Sequence, residues 1–128
     1  MPFCAPQIVF SQSWLNQDAN IASTDIFTPS ADGLYRITLL TGGPGQSLAN
    51  AGLSIQLQWN DKYANPGQLN AGLETWYNPA FNSPPFHAQG GVIWTYGVLQ
   101  AGNSISLQSS FNSGAFDYDV TVIIEQLA

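Results

Sequence analysis

The closing stretch "GAFDYDVTVIIEQLA", residues 114–128, decides the fold class. Tyr118, Val120, Val122 and Ile124 alternate with Asp119, Thr121, Ile123 and Glu125. A period of two with one apolar set is the pattern of a half-buried antiparallel strand. This is the most apolar strand-like run in the chain, and a terminus frays unless it is tied down. The run therefore reads as a central strand of a sheet. Its second face is only half polar, because Ile123 and Leu127 accompany Asp119 and Thr121. Aliphatics on a face that a monomer would leave wet point to contact with another copy of the chain, through Ile123, Leu127 and Thr121. A pair of singly exposed aliphatics is the plainer alternative.

The same alternation recurs upstream. Leu53, Ile55, Leu57 and Trp59 oppose Ser54, Gln56 and Gln58; Tyr35, Ile37 and Leu39 oppose Arg36 and Thr38; Ile105 and Leu107 oppose Ser104, Ser106 and Gln108. Weaker strands are expected at 7–14, 25–28, 73–77 and 92–99. Turn signals rich in Gly, Pro, Asn and Asp separate them, among them "SADG" at 30–33, "NDKYANPGQ" at 60–68 and "AGN" at 101–103. No window shows an uninterrupted helical period. The reading is a single all-β domain over residues 1–128, a sandwich of two antiparallel sheets with about eight strands, of jelly-roll type.

Composition narrows the function. Only 8% of the 128 residues are charged, so Gln, Asn, Ser and Thr must supply the solvated surface. With Arg36 and Lys62 as the only cations and a net charge of −6, a nucleic-acid surface and an anionic membrane face are both excluded. No run approaches a membrane span, and "MPFCAPQIVF" lacks a secretory signal. Synthesis in the cytosol is expected, with action in a virion or outside the cell. One Cys (Cys4) and one His (His87) cannot supply a disulfide or the usual zinc ligands. No metal or cofactor is expected.

Catalytic constellations are thin. A Ser-His-Asp relay would have to be built around His87, and no strained nucleophile turn is evident. Asp117 and Asp119 read as carboxylates on one strand face, and Asp61 with Asn60 or Asn65 as candidate calcium donors. Solvated carboxylates are the simpler reading of both, and the chain is expected not to be an enzyme. Sugar binding has more material, since lectin sites combine an aromatic ring with Asn, Asp and Gln. Trp76, Tyr77 and Asn78 in "LETWYNPAFN", with Asp61 and Tyr63 in "NDKYAN", are the candidate ligand-binding residues. Trp59 and Trp94 sit in strand alternation and are expected in the core.

Two stretches resemble a known family. "IFTPSADGLYRITLLTG" at 26–42 and "VLQAGNSISLQSS…FDYDVTVIIEQL" at 98–127 are similar to segments of the trimeric jelly-roll domains that include complement globular heads and tumour necrosis factor-like ligands. The terminal "EQL" and the Ser/Gln/Asn-rich surface are similar to those of small structural proteins from phages, prophages and environmental bacteria. The resemblance implies a sandwich of eight or ten strands with neighbouring termini. It also implies a homotrimer packed around the sheet that bears the last strand, serving as a virion spike, fibre head or decoration protein. Glycan recognition by the aromatic loops is the second expectation. Within the shared motifs, Gly33 is expected at a positive-φ turn, and Gly102 with Asn103 at a tight turn. Residues 43–97 depart from the family pattern, and it is in loops that such folds vary and bind.

Overall fold

The structure, a computed structural model, describes residues 5–42, 51–75 and 91–128. Within them run eight strands: β1 (Gln7–Gln17), β2 (Thr24–Phe27), β3 (Gly33–Gly42), β4 (Ala51–Asn60), β5 (Pro66–Thr75), β6 (Gly91–Leu99), β7 (Ile105–Ser113) and β8 (Tyr118–Gln126). They form two four-stranded sheets, ordered β1-β8-β3-β6 and β2-β7-β4-β5. All pairings are antiparallel.

The topology follows from one doubled ribbon. β4 pairs with β5, β3 with β6, β2 with β7 and β1 with β8, and the ribbon is rolled so that alternate pairs fall in opposite sheets. This is the jelly roll expected from the alternation. β8 lies between β1 and β3 and is hydrogen-bonded on both sides, so the closing strand is central. Gln7 faces Gln126 across the sheet, which brings the two ends of the ribbon together.

The alternating sets of β3, β4, β7 and β8 supply the core. Tyr35, Ile37, Leu39, Leu53, Ile55, Leu57, Ile105, Leu107, Tyr118, Val120, Val122 and Ile124 are all essentially inaccessible to solvent. Each aliphatic buried in this way contributes about 1.5–3 kcal/mol. Trp59 is buried as expected.

Four expectations need correction. Trp94 is 54% exposed rather than in the core. In β6 the inward set is Ile93, Thr95, Gly97 and Leu99, because Trp59 from β4 already fills the interior there. A Cβ on Gly97 would lie 3.5 Å from the Trp59 Nε1 and 3.2 Å from Leu99. β5 begins at Pro66 instead of Leu73, so the last third of the "NDKYANPGQ" stretch is already strand. Gly33 does not have positive φ; it starts β3, where the Ala128 carbonyl occupies the place of a Cβ. Asp117 precedes β8, so it does not share a strand face with Asp119. Gly102 does adopt positive φ, at 89°, in the turn closed by Asn103 N donating to Gln100 O.

Candidate assembly face and binding groove

The outer faces of the two sheets differ in kind. On β2-β7-β4-β5 the outward residues are amides and hydroxyls that bond one another across strands. Gln108 Nε2 donates to Gln56 Oε1 at 2.6 Å, and Gln56 Nε2 donates to Gln68 Oε1 at 2.6 Å. This face carries the hydration that so few charges cannot.

On β1-β8-β3-β6 the outward residues form rows set by strand register. Trp94, Thr38, Ile123 and Ser11 make one row; Val92, Leu40, Thr121 and Ser13 make the next; Tyr96, Arg36, Glu125 and Ile8 make the third. Val92, Trp94, Tyr96 and Val98 of edge strand β6 are all exposed, as is Ile8 on β1. The Trp94 and Tyr96 rings meet edge to face with centroids 5.2 Å apart. The apolar residues of β6 thus form one run along the edge, while Thr38 stands between it and Ile123, and Arg36 with Glu125 between it and Ile8.

This face carries one ion pair and, on β8, the carboxylate of Asp119, which accepts a backbone amide. Arg36 Nη2 donates to both Glu125 oxygens, at 2.7 and 2.9 Å, and its Nε adds a third bond at 3.0 Å. The Glu125 hydrogen bonds, and then its charge, raise the Arg36 pKa further. Thr121 Oγ1 is 2.8 Å from Ser13 Oγ. Ile123 and Leu127 are half-buried, and Leu127 donates its N–H to Leu34 O. The three residues expected at an interface therefore lie on or beside one apolar sheet face, to which β6 contributes four side chains that β8 alone did not reveal.

A second feature lies where edge strands β5 and β6 run side by side. The β4–β5 turn is organised by Asp61. Its Oδ1 accepts the Tyr63 and Asn65 amides, both at 2.8 Å, and its backbone N–H donates to Asn65 O. Ala64 takes positive φ within this turn. The turn is then pinned to the other sheet, because Lys62 N donates to Val98 O at 2.8 Å. Lys62 Nζ lies 3.5 Å from Asp32, whose other carboxylate oxygen accepts the Ala101 amide. That amide bond, with Lys62, lowers the Asp32 pKa.

Between turn and strand is a groove of about 370 Å³, lined by Trp59, Asp61, Tyr63, Gly67, Gln68 and Thr95 to Val98. Trp59 forms its inner wall, and a Cβ on Gly67 would run into the Trp59 indole. Asp61 and Tyr63, with Tyr96 of the aromatic run "IWTY", are the sequence's own candidates, and they are thus brought together with Gln68 and Thr95, which were not. Trp76, Tyr77, Asn78, His87 and Cys4 lie outside the described residues. Asp119 accepts the Asn16 amide at 2.7 Å, where β1 is bulged and Asn16 has positive φ. Among the described residues, no three His, Cys, Asp or Glu side chains come together. Compared with known proteins, the chain matches no family model and no curated protein.

Proposed function

We propose that the chain is a non-enzymatic homotrimeric structural and adhesion domain, a phage or prophage virion component such as a spike, fibre head or decoration protein. The observation that carries this reading is the run of exposed apolar side chains along β6 on the outer face of β1-β8-β3-β6, beside an opposite face whose amides bond one another. A second copy is the occupant that suits it. Arg36 and Glu125 neutralise each other on the face, so among the described residues Asp119 is the one carboxylate there that copies of a chain with net charge −6 have to keep apart. The apolar stripe is lopsided, concentrated on edge strand β6. Such a patch favours a heterologous contact that closes into a ring. The jelly-roll topology agrees with the trimeric domains that the sequence resembles.

Light scattering behind a sizing column tests this at two concentrations. A mass near three times 13.8 kDa is expected for the wild type. Ile123→Asp, and independently Trp94→Ser, should each reduce it to that of the monomer. A monomeric wild type, or an unchanged mass in both variants, overturns the reading. A lectin-like carbohydrate-binding module is the second reading, favoured by the groove beside Tyr63.

A further inference from the structure

We propose that the groove between the β4–β5 turn and β6 is a binding site for a neutral pyranose. The assignment deepens the adhesion part of the reading above. Because the groove is built within one chain, it does not depend on the oligomer. Tyr63 is 70% exposed, yet it stands on a turn fixed by Asp61 and pinned to Val98. A large ring held in water on a rigid support is a preorganised stacking platform, so binding costs little ordering entropy. A pyranose presents an apolar C–H face to such a ring and hydroxyls around its rim.

The rim chemistry is present. Asp61 uses Oδ1 to hold the turn, and Oδ2 takes no part in those two bonds, leaving an acceptor for a hydroxyl pair. Gln68 adds an amide and Thr95 a hydroxyl along the same groove. Its volume falls at the lower end of small-molecule sites, which suits a single sugar ring rather than a larger ligand. Charge selects among sugars. Asp61 lines the groove, and Lys62 of the same turn is paired with Asp32, so a carboxylate-bearing sugar meets repulsion with no unpaired cation beside it.

Saturation-transfer NMR on the whole chain tests the site, using the methyl glycosides of glucose, galactose, mannose and N-acetylglucosamine, with N-acetylneuraminic acid as the charged control. At about 10 mM sugar, transfer to the ring C–H protons of at least one neutral glycoside is expected, and none to the control. Tyr63→Ala, at an exposed turn position, should lower that affinity at least tenfold while leaving the melting temperature in place. Asp61→Asn, which can still cap the turn, should weaken binding and relieve the exclusion of the acidic sugar. Absence of transfer from all four neutral glycosides overturns the proposal, as does transfer undiminished in Tyr63→Ala. The mass is measured on the same samples. A sugar-binding monomer defeats the trimer and keeps the site, and a trimer without transfer does the reverse.

Discussion

At the scale of single residues, one buried relay joins the two sheets. The Ile21 N–H donates to Ser109 Oγ at 2.8 Å, Ser109 Oγ lies 2.6 Å from the Tyr118 hydroxyl, and that hydroxyl donates to Ala19 O at 2.6 Å. Each member has a defined direction, so Ser109 donates to Tyr118. Ser109→Ala strands the Ile21 amide and removes a donor from Tyr118, at a cost of about 1–3 kcal/mol that urea denaturation should show. Burial, more than the Ser109 bond opposes, raises the Tyr118 pKa above its ordinary value near 10. A raised folded-state pKa gives stability that is complete below the unfolded value and is lost as pH climbs through the folded one. Alkaline unfolding should therefore be shallower in Tyr118→Phe than in the wild type. Tyr35, also raised by burial, acts in the same direction. Nothing in the period-two pattern singles out Ser109, because its partner Ile21 lies 88 residues away.

Among the elements, β5 and β6 show where pattern reading succeeds and where it stops. β3, β4, β7 and β8 are legible because one alternating set is mainly aliphatic or aromatic and the other holds most of the hydrophilic residues. In β6 both sets hold apolar residues, and hydrophobicity alone turns Trp94 inward. The choice is made by volume: Trp59 occupies the interior, so Gly97 must face it. β5 has few β-branched residues and opens with Pro66, features tolerated because it is an edge strand. Its signal is the alternation of Leu69, Ala71 and Leu73, seen only once the strand is known to start early. The groove was half legible for the same reason. Asp61 and Tyr63 stand in a recognisable turn, whereas Gln68, Thr95 and Tyr96 reach it through the packing of two sheets. Gly67→Ala checks the packing argument, since its Cβ displaces the Trp59 indole and should cost about 1–3 kcal/mol. Gly72→Ala in the same strand meets nothing closer than Leu53 O at 3.9 Å and should cost nothing comparable in the same denaturation experiment.

For the whole molecule, the doubled ribbon has a kinetic meaning. β4 and β5 form the one strand pair joined by a short described turn; every other partner lies far along the chain. Pairing distant strands first means closing a long loop before any contact repays it. Once β4 and β5 are joined, β3 and β6 are held near each other, then β2 and β7, then β1 and β8. The ribbon can close like a zip from the Asp61 turn outward, each step shortening the loop left for the next. A circular permutant that links the neighbouring ends and opens the chain between Lys62 and Tyr63 keeps the native pairings but removes that starting point. Stopped-flow refolding should then slow by about tenfold or more, while unfolding changes less. The short turn that pins two sheets together would thus also be the place from which the molecule begins to assemble itself.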